Sequence, residues 1–355
     1  MCVNSLTVSA YSVSAKAAVV INGDTGEILY SQNCDQHLPM ASTTKIMTAL
    51  LLCELGGDLS KTVVTTREMV MVEGSSMGLQ VGDTVSYKDL LYGMMLASGN
   101  DAANTTAIAI GGSVSAFVDL MNKRVDQMGL KDTHFVTPSG LDADEHYTTA
   151  YELALITKEA LKNKEFAEAA ASKSARLCYG NPPYNRTLTN HNKLLKMYDD
   201  VIGVKTGFTK KSGRCLVSAS KKEGKFVIAV TLNDGNDWQD HRTLLDLGLS
   251  AITSKTFSPK LNTVTLDVVN GEKIYVNIPS MTFSTTKNSV VDYAINLPRF
   301  LYPPIKKGEV LGEICYYCNG NLLCELSITS PQDINLKNKK AVVLFQIFKS
   351  IILTA

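Results

Sequence analysis

The stretch Met40-Ala-Ser-Thr-Thr-Lys-Ile-Met-Thr-Ala-Leu-Leu-Leu52 decides how this chain reads. Its second half, Ile46 to Leu52, is largely apolar, which sends a helix into a core rather than along a surface. Its first half is polar and carries a serine and a lysine three positions apart. Positions i and i+3 share a helix face, so Lys45 Nζ reaches the Ser42 hydroxyl. A serine hydroxyl is a poor nucleophile until a neighbouring base takes its proton. Lysine serves as that base only where desolvation or a second cation destabilises its ammonium form. Ser42 also stands at a helix start, where free N–H groups and the positive dipole end favour an oxyanion. Alone, Ser-x-x-Lys equally describes an N-cap serine followed by a solvated lysine, and the apolar run after it argues against that.

Two further triplets lie downstream in a fixed order. Ser98-Gly99-Asn100 follows Ser42 by 56 residues, between two helical patterns. Lys205-Thr206-Gly207 follows after another 107, at the end of a strand pattern, and supplies a candidate second cation. Each triplet alone is a turn or a strand end. The ordered trio points to nucleophilic acyl transfer, with Ser42 attacking and Lys45 as base.

Around these motifs the periodicity is mixed. Residues 17–31 read as a hairpin turning through Asn22–Gly26. Helical spacing recurs at 43–54, 87–97, 101–110, 114–128, 148–162 and 237–252, and strand-like runs at 201–206, 214–220 and 225–232. That order predicts an α+β domain with an antiparallel sheet. After Ser254 short alternating segments separated by Gly, Pro and Asn turns predict a small all-β module. The expected organisation is thus 1–15, 16–254, 255–330 and 331–355.

At 355 residues the chain suits two domains. Its 35 Lys and Arg against 34 Asp and Glu leave no basic footprint, so nucleic acid is not an expected partner. Cys315 and Cys318 resemble half of a zinc site, but a zinc site needs about four ligands and neither a second pair nor a histidine pair accompanies them. No metal or other cofactor is expected. Residues 1–15 carry Val-Ser-Ala at 8–10 and again at 13–15, like the small-residue end of a secretory signal, although a basic start is missing. They read as a signal-peptide remnant or as a frayed polar terminus.

The trio sits inside longer matching stretches: Met40 to Ala49, Leu96 to Ala103, Thr137-Pro-Ser-Gly-Leu-Asp142, Thr189 to Leu194, and Gly203-Val-Lys-Thr-Gly-Phe-Thr209. In these the chain resembles the low-molecular-mass penicillin-binding proteins, specifically the D-alanyl-D-alanine carboxypeptidases, closely over 16–252 and more loosely beyond. Ser-x-x-Lys with Lys-Thr-Gly is a known signature of penicillin-binding proteins and class A β-lactamases. The resemblance implies the penicillin-binding/β-lactamase-like transpeptidase fold followed by a small all-β domain. It implies peptidoglycan stem peptides ending in D-Ala-D-Ala as substrates, and β-lactams as covalent ligands. It implies Ser42 as nucleophile, Lys45 as base, Ser98 as proton relay to the leaving D-alanine and Asn100 as a donor to the substrate amide. Lys205 and Thr206 would hold the terminal carboxylate, and the N–H groups of Ser42 and Phe208, beside Gly207, would form the oxyanion hole. Where the family often has Asn-Arg-Asn, this chain has Asn190-His191-Asn192, so His191 is either a carboxylate ligand when protonated or a structural residue.

Three rivals share these residues. A class A β-lactamase has Ser-Asp-Asn and a deacylating glutamate, whereas position 99 is Gly and only Glu159 approximates that glutamate's context. A D,D-endopeptidase would act on cross-linked substrate with the same groups. A non-catalytic penicillin-sensing module would not need Lys45 or Ser98. The expected site is extracytoplasmic, at the outer face of a bacterial cytoplasmic membrane. In the tail, Asn335, Lys339, Gln346, Lys349 and Ser350 share one helical face, interrupted by Val342 and Leu353. From Ala341 the apolar stretch is 15 residues, short of the roughly 20 that span a bilayer. An amphipathic helix lying on the membrane surface is expected, with a helix packed on the β module as the alternative. Finally, Asn319-Gly320 predicts a two-residue hairpin turn that sets 318 against 321 and, counting outward, Cys315 against Cys324, close enough for a disulfide in an oxidising setting.

Overall fold

The computed structural model describes residues 11–335. The chain divides into two compact units, Met1–Thr253 and Ser254–Ala355.

In the first unit the strand Ala17–Asn22 is buried along its whole length because both of its faces are covered. Side chains alternate across a strand, so Val19 and Ile21 point to one core with Ile46, Leu50, Val217 and Val230, while Ala18 and Val20 point to another with Leu216, Leu244 and Leu245. The strand pairs antiparallel with Ile28–Gln32 on one side and Lys225–Leu232 on the other. Gly213–Lys222 and Val201–Thr209 complete the five-stranded antiparallel sheet, with Val201–Thr209 at its edge. Helices Lys45–Leu55, Tyr87–Met95, Asn100–Gly111, Val114–Gln127 and Ala150–Ala160 bury residues in the first core, and helix Asp237–Ala251 in the second. The expected α+β class with an antiparallel sheet is what the structure has.

A further sheet, of four strands, is not marked by the apolar pattern of the sequence: Thr62–Val64, Thr84–Ser86, Ser174–Gly180 and Pro183–Thr189. Its last strand is polar and mostly exposed, with Pro183, Asn185 and Arg186, so apolar alternation does not mark it. A second correction concerns the first fifteen residues. Val13 and Ala15 are buried, Ser14 Oγ bonds Asp234 at 2.6 Å, and Gln32 Nε2 donates to Ala15 O at 2.7 Å. Residues 13–15 are thus part of the folded domain, which begins before the expected boundary at 16. Residues 1–10 lie outside the described region.

The second unit is all-β, with its own core of Leu266, Val276, Ile278, Ile314, Tyr316 and Ile328. Ile334, expected in the tail, is buried in this core and pairs with Ile305, so the module extends past position 330. The rest of the tail, 336–355, lies outside the described residues. The hairpin Val310–Cys318 to Asn321–Thr329 turns where expected, with Cys318 opposite Asn321 and Tyr317 opposite Leu322. A bulge at Leu323 then sets Tyr316 against Cys324 and Cys315 against Glu325. Neighbouring residues on a strand face opposite ways, so Cys315 and Cys324 lie on opposite faces and the expected pairing fails. Both are free thiols.

Tyr316 fixes that register from inside. It is fully buried, and its hydroxyl donates toward Pro279 O at 2.9 Å and Phe257 O at 3.2 Å. Tyr316→Phe should destabilise this unit by about 1–2 kcal/mol, the cost of a lost buried hydrogen bond. Denaturant melts followed through the second unit measure this, and an unchanged midpoint would remove the hydroxyl from the account.

Candidate active site

Residues Ala41–Thr44 form a single 3-10 turn that runs into the helix Lys45–Leu55. The sequence reading put Ser42 on an α-helical face. In the tighter 3-10 winding, side chains at i and i+3 eclipse, and Lys45 Nζ stands 2.9 Å from Ser42 Oγ. The turn is entered through Ala41, whose φ of +48° is left-handed and costs a non-glycine residue about 1–3 kcal/mol. Two glycines let neighbouring backbone close on it. A Cβ at Gly140 would lie 1.9 Å from Ala41 O, and one at Gly207 would lie 3.1 Å from Ser42 N and from Met40 O. The glycine of Lys205-Thr206-Gly207 is there because the sheet edge presses on the serine turn.

Lys45 is fully buried and bonds Ser42 Oγ, Asn100 Oδ1 at 2.7 Å and Ser139 O at 2.6 Å. Burial first, and the Lys205 charge second, drive its pKa well below the ordinary lysine value, with Asp101 opposing. A neutral amine keeps two N–H bonds and one lone pair. Asn100 Oδ1 and Ser139 O accept only, so they take the two N–H groups and the lone pair faces Ser42 Oγ. This geometry leaves a neutral Lys45 able to accept a proton from one hydroxyl, that of Ser42.

Ser98 lies between the helices Tyr87–Met95 and Asn100–Gly111, itself at φ +57°. Asn100 opens the second helix, and its Nδ2 donates to Glu73 O at 2.6 Å. Asp101, to which the sequence reading assigned no role, is buried and holds the loop before it. Its carboxylate accepts from the N–H groups of Met77, Gly78 and Leu79 at 2.9–3.0 Å and from the Ser76 hydroxyl. The triplet Ser98-Gly99-Asn100 thus touches the chemistry, and the next residue anchors the wall around it.

Lys205, on the edge strand, is also buried, and its pKa is pushed down to about 7 by desolvation. Its Nζ donates to Ser98 Oγ at 3.0 Å and Thr206 O at 2.9 Å. The side chain of Phe208 is exposed, and Thr206 is half-buried. His191 stands at the surface close to Lys205. The flanking asparagines are turn staples, Asn190 Oδ1 accepting from Asn192 N at 2.9 Å and Asn192 Oδ1 from Leu194 N at 3.1 Å. Partial burial, then the Lys205 charge, lower the His191 pKa. The imidazolium form is therefore disfavoured relative to a free histidine, which moves any imidazolium role to more acidic solution.

The structure brings Ser42, Lys45 and Asn100 into one set of contacts and Ser98 and Lys205 into another, the two coupled by the Lys205 charge acting on Lys45, and adds Ser139 and Asp101. The signal for Ser139 was the stretch Thr137–Asp142, which carried resemblance but no assigned chemistry. Elsewhere, His241 pairs with Ser218 at 2.5 Å and Thr231 at 2.9 Å, yet all three are sealed between sheet and helix, so this is a core network rather than a catalytic dyad. Glu159 is spent on Arg124 at 3.2 Å and Lys162 at 2.8 Å. Among the described residues, the ligand atoms of Glu313, Cys315 and Glu325 lie within 4.8 Å of one another, one short of the four that zinc usually takes.

A profile of the D-alanyl-D-alanine carboxypeptidases matches residues 4–236. The chain is 32% identical over 333 residues to the D-alanyl-D-alanine carboxypeptidase DacF of Bacillus subtilis, covering 90% of this chain and 85% of the relative. It is 33% identical over 341 residues to DacC of Escherichia coli, covering 88% and 82%. The structure of penicillin binding protein 5 from Haemophilus influenzae superposes with a TM-score of 0.67 at 26% identity, covering 92% of this chain and 99% of that one.

The two lysines give a pH signature. Lys45 must be neutral to accept a proton, so acylation climbs as pH rises through its pKa, and Lys205 is one cause of that pKa being low. In Lys205→Gln the cause is gone, the Lys45 pKa rises, and the acid limb of the penicillin acylation profile moves to higher pH. On the alkaline side the native rate falls as Lys205 loses its charge, and the variant lacks that limb. An acid limb at the native pH in the variant would dismiss the coupling.

Proposed function

The chain belongs to the D-alanyl-D-alanine carboxypeptidase family, and on that premise we propose that Ser42 carries the acyl-enzyme through which its serine D,D-carboxypeptidase activity proceeds. The observation that carries this is the buried Lys45 amine, whose free lone pair is confined to Ser42 Oγ. Lys45 takes the Ser42 proton as Oγ attacks the carbonyl of the penultimate D-alanine. The N–H groups of Ser42 and Phe208 receive the oxyanion, and the start of the Lys45–Leu55 helix adds its dipole. Ser98, bonded to Lys205, relays to the departing D-alanine amine the proton that Lys45 took from Ser42, which leaves Ser98 unchanged and Lys45 neutral again. The Asn100 amide, with one N–H on Glu73 O, has its other for the substrate amide. Lys205, with one donor left after Ser98 and Thr206 O, holds the terminal carboxylate together with Thr206, and His191 adds a hydrogen bond at neutral pH or a charge in acid. Water then hydrolyses the ester and returns Ser42. A β-lactam acylates the same oxygen but keeps its leaving group tethered.

Glu159 is occupied by Arg124 and Lys162, which speaks against a β-lactamase-type deacylation. Since the substrate is cell-wall peptide, we place the enzyme outside the cytoplasmic membrane, with the 331–355 tail, from beyond the buried Ile334, as an interfacial anchor on the amphipathic pattern of the sequence. No helix among the described residues is long and apolar enough to cross a membrane.

Penicillin should add one mass equivalent to the intact protein, on the peptide containing Ser42, and D-alanine should be released from diacetyl-Lys-D-Ala-D-Ala. Ser42→Ala abolishes both, and Lys45→Ala lowers acylation by several powers of ten, as for a nucleophile and base acting as one unit. Label on another serine ends the assignment. Rapid release of penicilloate would point to a β-lactamase, label without peptide turnover to a sensor, and cleavage confined to cross-linked peptide to an endopeptidase. Deleting 336–355, which spares the buried Ile334, should free the enzyme from membranes with activity intact, and retention on membranes would contradict the anchor.

A further inference from the structure

A buried histidine lies behind the serine turn, where no step of the reaction above uses it. His146 sits on the segment leading to the helix Ala150–Ala160, almost fully buried, with its ring edge-on to Phe135. Its Nδ1 accepts the Val136 N–H at 2.9 Å, and its Nε2 lies 2.8 Å from Thr44 Oγ1. A backbone N–H can only donate, so Nδ1 is bare and the ring proton sits on Nε2. Desolvation agrees with this, pushing the pKa to about 4 and keeping the ring neutral. Nε2–H then donates to the Thr44 hydroxyl, whose own proton is left to donate to Ala41 O at 2.8 Å. Every bond in the row points one way, from Val136 through His146 and Thr44 to the carbonyl of Ala41.

That carbonyl belongs to the left-handed residue that immediately precedes Ser42. The segment at the row's other end also meets the helix through Lys45 Nζ on Ser139 O and Thr48 Oγ1 on Pro138 O, both 2.6 Å. His146 thus joins the backbone that orients the Lys45 amine to the peptide unit that aims the Ser42 N–H and Oγ. We propose that His146 is a positioning residue for acylation, acting through Thr44 to hold Ala41 in its left-handed conformation and so set Ser42 against Lys45 and the oxyanion donors. This rests on Ser42 being the nucleophile.

The test is the acylation rate constant at saturating penicillin, with the apparent dissociation constant and the melting temperature measured beside it. His146→Phe keeps a packed ring but loses both bonds, and acylation should fall by about 100-fold, the scale of a 1 Å misplacement, with penicillin binding unmoved. His146→Gln, which can still donate to Thr44, should regain more of the rate than His146→Asn, whatever the order of their melting temperatures. Thr44→Val should reproduce the loss, Thr44→Ser should lose less, and His146→Phe with Thr44→Val should lose no more than the worse single variant. If His146→Phe does not fold, the Thr44→Ser and Thr44→Val pair decides. Rates within twofold of native, losses that follow melting temperature, or additive losses would overturn the proposal. Mapping the native label to Ser42 separates the two claims: label elsewhere fails the underlying mechanism, whereas a Ser42-labelled protein indifferent to these changes fails this inference alone.

Discussion

Two buried lysines lie close enough for the charge of one to act on the other, and much else in the first unit follows from that confrontation. Placing a charge in so dry a place is unfavourable, and placing two near each other is worse. The protein resolves the conflict by giving the pair unequal surroundings. Both are pushed toward neutrality, Lys45 by its burial and then the charge of Lys205, and Lys205 by its burial. Its acceptors are an amide oxygen and a carbonyl, dipoles that a neutral amine satisfies. The same residue type thus meets two different settings by position alone.

The backbone around the serine serves that arrangement. The 3-10 turn shortens the reach between Ser42 and Lys45, and the left-handed Ala41 turns the chain into it. Gly140 and Gly207 permit contacts that a methyl group would block. Asp101 fastens the loop from Ser76 to Leu79 to the start of the helix that bears Asn100. The reactive groups are therefore few, but they hang on backbone geometry contributed by five separate stretches of chain.

How much of this could be read beforehand depends on the range of the interaction. The sheet and long helices were legible because burial imposes periodicity on neighbouring residues, and the strand pairs 201–209, 213–222 and 225–232 carry it plainly. Ser42, Lys45, Ser98 and Lys205 were legible because their chemistry recurs as short words. The sheet containing Pro183–Thr189 was not, since an exposed polar strand leaves no apolar rhythm. Ser139 acts through its carbonyl, and a backbone atom carries no letter in the sequence. His146 reads as a lone histidine because its partners, Val136 and Thr44, are specified only by folding. The hairpin at 319–320 shows the same limit: its turn is local and was legible, while the bulge at Leu323 answers to the core beneath Tyr316.

That bulge has a bearing on what the two thiols can do. With Cys315 turned toward Glu325 on one face and Cys324 on the other, an oxidant finds two thiols that cannot join unless the hairpin slips by a residue. Slippage would drag Tyr316 off its two carbonyl acceptors and open the core of the second unit. The native register therefore works as insulation: this module holds its shape without a bond between positions 315 and 324 and resists acquiring that one.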